Sequence, residues 1–291
     1  MVRWHGVGMQ VIFVVPDRWQ RWGLRLLPKR TLTVLIGYFS RLGVSRYLIP
    51  YYIRWYQIDP HEAEYPISTY RSLGEFFARG LRKGARPVAD EGLISPVDGT
   101  VSQTGKIERG TLVQAKGSLY DVSTLLGSQA EAASLEGGVF ITLYLSPRDY
   151  HRIHMPLSGR IVAWRYIPGC LYPVNARGVR YISGLYSRNE RLVTWLETEY
   201  GRMAVVKVGA AIVGSIRTSY GPAPVPAWRR ERRRPRQGVV SLWLEKGEEM
   251  GRFEFGSTVI LLCPPGLVDR VLVADGEKVR MGEQIAVLKQ A

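Results

Sequence analysis

Phe253-Glu254-Phe255-Gly256-Ser257-Thr258-Val259-Ile260-Leu261-Leu262 decides how this chain is read. Four large aliphatic residues follow a glycine and two hydroxyl side chains. A short, unbroken apolar run opened by glycine reads as a β-strand buried inside a sheet. Gly256 adds a chemical expectation. Glycine admits unusual backbone angles and lets a neighbouring group approach its carbonyl closely. The Ser257 hydroxyl stands just after that carbonyl and could attack it, turning the peptide into an ester and breaking the chain. Taken alone, Gly-Ser-Thr is usually just a turn into a strand, so a chemical reading needs support from the rest of the sequence.

Working outward, the texture after Pro87 agrees with a strand-rich body. Short β-branched runs alternate with Gly and Pro: Gly99–Val101, Leu112–Ala115, Val139–Leu145, Arg160–Ile167, Arg191–Glu197, Met203–Val208, Ala210–Ile216, Val239–Leu244, Val259–Cys263 and Val268–Val273. With 31 Gly and 17 Pro among 291 residues, this spacing predicts an all-β body. Ahead of it, Ser68 to Lys83 reads as a capped helix with Leu73, Phe76, Phe77 and Leu81 on one face. Near the C-terminus, Asp275-Gly276-Glu277-Lys278-Val279 and Gly282-Glu283-Gln284-Ile285-Ala286 resemble the turn-and-strand pattern of lipoyl and biotinyl carrier modules. Lys278 lacks the setting of a modified lysine, so a shared sandwich architecture without a carrier role is expected. The fold class is α+β, mainly β: a β-sandwich-like domain over 66–291, with similarity to barrel-sandwich carrier modules, preceded by amphipathic helices over 1–65.

The N-terminal region mixes Trp19, Trp22, Phe39, Tyr47, Tyr51, Tyr52 and Trp55 with Arg18, Arg21, Arg25, Arg30, Arg41, Arg46 and Arg54. Leu32, Leu35, Ile36, Phe39 and Leu42 fall at helical spacing. A basic, aromatic amphipathic helix is the pattern of a peripheral membrane anchor, although a helical pair packed on the protein's own core would show similar spacing. No stretch approaches the roughly 20 apolar residues needed to span a bilayer, and no secretory signal stands out. The formal net charge of +15 predicts attraction to a polyanion. An anionic membrane fits better than nucleic acid. Arg229, Arg230, Arg232, Arg233, Arg234 and Arg236 follow Pro222, Pro224 and Pro226 in what reads as a solvated loop, with no nucleic-acid-binding motif beside it. Cys170 and Cys263, the two cysteines, read as reduced buried thiols.

Two further segments carry chemistry. One is Ser95-Pro96-Val97-Asp98-Gly99-Thr100-Val101, and the other runs from Leu145 to Pro156 and includes Tyr150-His151-Arg152-Ile153-His154-Met155-Pro156. Half of the four histidines lie here, three residues apart. Two ligands alone make no metal site, and no metal is expected. Beside a candidate nucleophile, a histidine pair favours proton transfer. Asp98 could be a simple turn residue, or could orient a histidine in a hydroxyl–imidazole–carboxylate relay.

In this order, Pro-Val-Asp-Gly, Tyr-His-Arg-Ile-His-Met-Pro and Gly-Ser-Thr resemble the phosphatidylserine decarboxylase family. The resemblance extends through Leu171–Asn175, Ser187–Arg191, Val208–Ile216 and Lys246–Phe253. Phe255 stands where a leucine is common, which conserves bulk, and the Arg-rich run is more basic than expected. The resemblance implies a carboxy-lyase that converts phosphatidylserine to phosphatidylethanolamine and CO2. It implies that Ser257 attacks the Gly256 carbonyl, with His154 as base and Asp98 holding its imidazole. β-Elimination, tautomerisation and hydrolysis would then release ammonia and leave a pyruvoyl group, the covalent cofactor derived from Ser257, on a short chain 257–291 beside a long chain 1–256. The pyruvoyl ketone would form a Schiff base with the lipid amine and accept the electron pair left by CO2. His151 is the candidate for reprotonating the α-carbon or gripping phosphate, and Tyr172, Asn175 and Thr258 are candidates for substrate binding. Expected partners are the lipid, an anionic membrane surface and the two chains of one precursor, with a homodimer as a further candidate and no nucleic acid. The expected location is peripheral, on the cytoplasmic face of a bacterial membrane.

Overall fold

The structure is a computed structural model, and it describes residues 35–114, 118–210, 216–221, 234–254 and 257–289. The expected helices before residue 35, the arginines from 229 to 233, most of the run 210–216, and Phe255 and Gly256 lie outside the described residues.

The strands in chain order are β1 (Leu93–Ile94), β2 (Gly99–Lys106), β3 (Thr111–Gln114), β4 (Ser118–Asp121), β5 (Val139–Leu145), β6 (Arg152–His154), β7 (Gly159–Ile167) and β8 (Arg191–Thr198). They continue as β9 (Gly201–Gly209), β10 (Ile216–Thr218), β11 (Arg236–Leu244), β12 (Glu249–Phe253), β13 (Ser257–Cys263), β14 (Val268–Val271), β15 (Lys278–Val279) and β16 (Gln284–Leu288). Eight form one antiparallel sheet in the order β11-β7-β8-β9-β13-β5-β2-β15. Two three-stranded sheets, β1-β16-β14 and β10-β12-β6, and the β3–β4 hairpin complete the set.

The run that opened the reading is the middle of the large sheet. β13 pairs with β5 from Ser257↔Leu145 to Cys263↔Val139, and with β9 from Ser257↔Gly209 to Leu262↔Ala204. All of its residues are buried. Alternation sends Val259, Leu261 and Cys263 to one face and Ile260 and Leu262 to the other. The first face packs on Leu93, Ile153, Met250, Phe253, Ile285 and Ala286 from the two small sheets, which is the sandwich-like layer. The second packs on Leu112 and Tyr120 of the hairpin and on the helices Val122–Leu126, Ala176–Tyr181 and Leu185–Arg188. Those short helices depart from an all-β body. Each is held by packing more than by propensity, since helices this short are marginal in isolation.

The expected helix over Ser68–Lys83 is shorter, Leu73–Phe77. Ser72 accepts a hydrogen bond from Glu75 N at 3.2 Å, and Glu75 reaches back to accept one from Arg71 N at 2.6 Å. This reciprocal cap fixes the start later than Ser68. Past Phe77 the chain is drawn away: Leu81 bridges to Ala63, and a Cβ on Gly80 would stand 2.1 Å from Glu64 Oε2. The helix Ile49–Tyr56 ends at Gln57, which takes a left-handed φ of 53°. Its inner face forms a cluster with Ile58, Tyr70 and Phe76, so the helical region packs across residue 65. Its outer face leaves Tyr51 and Trp55 exposed. Among the described residues no helix is long and apolar enough to cross a membrane. Of the two thiols, Cys263 is buried but Cys170 is exposed, because it lies outside the regular strands.

Candidate active site

Ser257 stands at the head of β13, flanked by Leu145 on one side and Gly209 on the other. It is fully buried, and its Oγ has no hydrogen-bond partner among the described residues. Leaving a hydroxyl buried and unbonded costs about 1–3 kcal/mol. Among the described residues nothing offsets that cost for Ser257. Thr258 points to the opposite face, opposite Tyr144 and Val208, and its Oγ1 is likewise unpartnered.

β5 runs out at Leu145, and the turn that follows carries the histidines. Asp149 accepts from Ser146 N and Ser146 Oγ, both at 2.7 Å, which tightens the turn into His151. Burial raises the Asp149 pKa. His151 is completely buried, and its ring lies 4.0 Å from that of Phe77. Its Nδ1 donates to the Asp149 carbonyl at 2.7 Å. A carbonyl only accepts, so this bond fixes the tautomer and leaves Nε2 with its lone pair. That Nε2 has no partner among the described residues. Burial pushes the His151 pKa down to about 3, so the ring is neutral. The His151 carbonyl accepts from Phe253 N at 3.0 Å, which sets this histidine against the end of β12, four positions before Ser257.

His154 is arranged differently. Its Nδ1 donates to the Gly247 carbonyl at 2.7 Å, and its Nε2 accepts from the Tyr150 hydroxyl at 3.0 Å. Burial lowers its pKa, and the Gly247 bond opposes that only in part. The backbone N of His154 donates to Pro96 O at 2.8 Å, so the Pro96–Asp98 turn lies beside it. The carboxylate of Asp98 nevertheless faces elsewhere. Arg86 grips it through Nε at 2.9 Å and Nη2 at 2.6 Å, and Met281 N adds a bond at 2.8 Å. The same guanidinium binds Glu62 through Nη1 and Nη2. The expected Asp98–His154 hydrogen bond is thus not made in this arrangement. A bidentate guanidinium is the stronger partner for a carboxylate than a neutral imidazole.

The substrate-binding candidates divide. Asn175 is exposed, and its Oδ1 caps the helix Ala176–Tyr181 by accepting from Gly178 N at 3.1 Å. Tyr172 is tied to the site by a residue that sequence reasoning missed. Asn189, fully buried, accepts from Tyr172 N at 3.0 Å and donates to Tyr172 O at 2.8 Å and Gly209 O at 2.9 Å. Gly209 is the residue opposite Ser257, so Asn189 fastens the Tyr172 loop to the head of β13. Also missed was Lys207 on β9, buried with its Nζ donating to Thr194 Oγ1 at 2.7 Å. Its only signal in the sequence is a charge inside an apolar run.

The family model described as phosphatidylserine decarboxylase matches residues 73–287. A phosphatidylserine decarboxylase proenzyme of Anaeromyxobacter sp. is 47% identical over 272 residues, covering 90% of this chain and 95% of the relative. The Brevibacillus brevis proenzyme is 47% identical over 268 residues, with 90% and 95% covered. The Pseudomonas aeruginosa proenzyme is 43% identical over 279 residues, with 91% and 96% covered. The matched span holds Asp98, both histidines of the turn and Ser257, and the chain belongs to the phosphatidylserine decarboxylase family.

Proposed function

We propose that this chain decarboxylates phosphatidylserine to phosphatidylethanolamine by means of a ketone made from its own Ser257. Family membership supports the reaction. The observation that carries the mechanism is the buried Ser257 Oγ, without a hydrogen-bond partner among the described residues, at the head of a strand paired on both edges. Those two ladders would hold a pyruvoyl group in place through its backbone. When present, that group supplies an electrophilic ketone for the lipid amine and a sink for the electrons released with CO2.

The chain's residues take the following parts in this reading. Ser257 Oγ attacks the Gly256 carbonyl, and His154 is the base. Since His154 Nε2 holds the Tyr150 hydroxyl, Tyr150 must let go before His154 takes the serine proton. Asp98, locked to Arg86 and Met281 N, positions the Pro96–Asp98 turn against His154 and fastens the segment after Ser257 to the segment before it. His151, neutral and with Nε2 open, accepts the proton of the lipid ammonium and returns it to the carbon that loses CO2. Tyr172 flanks the headgroup; Thr258, on the opposite face of the strand, acts only by fixing the backbone at Ser257, and Asn175, exposed and capping a helix, acts through the Tyr172 loop.

The surface supports a membrane-bound substrate. Leu35, Tyr38, Tyr47, Tyr51 and Trp55 are each exposed in the N-terminal helical region. Exposed apolar and aromatic residues concentrated in one region favour contact with lipid, and the net charge of +15 favours an anionic leaflet.

The deciding experiment is the mass of the purified protein's fragments. Two fragments are expected, the shorter starting at residue 257 with a ketone in place of its amine, and Ser257→Ala should give one intact, inactive chain. An unbroken wild-type chain that decarboxylates the lipid would falsify the mechanism. Comparing the lipid with free serine as substrate tests the lipid assignment separately.

A further inference from the structure

Among the described residues no carboxylate bonds the Arg79 guanidinium, unlike those of Arg86, Arg152 and Arg217. Arg79 is only 5% exposed. Its Nη2 donates to the Arg148 carbonyl at 3.3 Å, while Nε and Nη1 are buried without a partner among the described residues. One face lies 4.9 Å over the Phe76 ring. A buried cation with open donors is costly unless something anionic completes it.

The position says what that anion is for. Arg79 lies two residues from Phe77, whose ring packs on His151. It lines a cleft of about 450 Å³ whose wall also holds Arg152, Arg217, Arg252 and Glu254. Glu254 comes three residues before Ser257. Within the cleft, Glu254 is already taken by Arg41 and Arg217, and Arg152 is taken by Glu249. Gly37, Ser40 and Arg41 also line the cleft, and they neighbour the exposed Tyr38 and Phe39 in sequence.

We propose that Arg79 is the anchor for the phosphodiester of the lipid headgroup, which enters this cleft from the apolar face. The inference rests on the decarboxylase reading and adds a named contact to it. The substrate has two anions, and chemistry separates them. The carboxylate loses its charge as CO2, so an arginine bonded to it would hold the ground state more tightly than the transition state. The phosphodiester keeps its charge throughout, so binding it costs the chemical step nothing. Arg79 thus belongs to uniform binding, and its loss should appear in KM and not in kcat.

The test uses processed wild-type, Arg79→Met and Arg79→Lys proteins, first checked by electrophoresis and mass for splitting and the ketone. Two substrates are compared: dispersed short-chain phosphatidylserine, and an O-alkylserine that keeps the amine and carboxylate but lacks the phosphodiester. Arg79→Met should raise KM for the phospholipid about tenfold or more with kcat nearly unchanged, and leave kcat/KM for the O-alkylserine as it was. Arg79→Lys should fall between. Equal losses on both substrates, or a fall in kcat at constant KM, would overturn the assignment. A second arm needs no variant. Glycerophosphoethanolamine should compete with phosphatidylserine on the wild-type enzyme while ethanolamine does not; failure of the phosphodiester to compete also overturns it. A wild-type protein that splits, carries the ketone and ignores phosphatidylserine would instead refute the lipid reading.

Discussion

His151 shows how a single residue couples function to stability. It is buried with Nδ1 donating to a carbonyl and Nε2 open, and its pKa is down to about 3. In the unfolded chain a histidine titrates near 6.5. Below that pH the unfolded state binds a proton that the folded state refuses, so stability falls as pH drops from about 6.5 toward 3, by up to about 1.4 kcal/mol per pH unit. In the Ser257→Ala background, where the chain stays whole, His151→Gln should flatten part of this slope. Urea midpoints at several pH values from neutral to acid measure it; parallel slopes would refute the burial argument. Glu62 acts near the lower end of that range. Its bond to Arg86 lowers its pKa below 4.5, so its contribution is present above 4.5 and fades as pH falls through the lowered value. The histidines and Asp98 were legible in the sequence as a set of types. Their partners were not, because Arg86, Glu62, Gly247 and Met281 come from distant segments that only folding assembles. Asp98 therefore ends in an arginine fork where the local pattern suggested a histidine.

At the scale of elements, β9 sets a polar side chain against the logic of its sheet. Lys207 pairs across the ladder with Val259 and shares a face with Met203 and Val205. Its Nζ meets Thr194 Oγ1, which also bonds the Tyr220 hydroxyl at 2.9 Å, and no carboxylate among the described residues balances it. Burial holds its pKa well below the ordinary lysine value of 10.5. Between about 10.5 and the lowered value the folded chain binds fewer protons than the unfolded one, so stability falls as pH drops through that range. Lys207→Met keeps the length, and the Thr194–Tyr220 pair remains bonded. The variant should be more stable than the parent, with a gap that widens as pH falls from about 10 toward neutrality. Calorimetric scans at several pH values check this, and a less stable variant at neutral pH would show that the amine is a favourable part of the core. The strands themselves were largely visible from β-branched runs between Gly and Pro, because that alternation is local. β1, β4, β6 and β12 escaped notice: they have two to five residues and depend on neighbours to complete their ladders.

At the scale of the whole molecule, the exposed apolar face and the sheet make separate predictions. Replacing Tyr51 and Trp55, both largely exposed, with serine should weaken sedimentation with anionic vesicles and leave chain splitting intact. Unchanged vesicle binding would remove this face from the membrane model. The sheet predicts what happens after splitting. The segment from Ser257 onward supplies β13 between β5 and β9, β15 on the edge of β2, and β16 against β1. Every residue of β13 is buried, and its large aliphatic side chains are each worth about 1.5–3 kcal/mol on burial. Met281 N also holds Asp98, which lies on the other side of the proposed cleavage. Removing this segment would open the large sheet in its middle and strip both core faces, so its release is an unfolding event and not a dissociation. The two fragments should therefore travel together through size-exclusion chromatography and high salt, and separate only at denaturant concentrations that also abolish the tryptophan signal of the core. Loss of the short fragment under native conditions would mean that β13 is not held by its neighbours, and the reading of Ser257 as a group fixed by two ladders would fail with it.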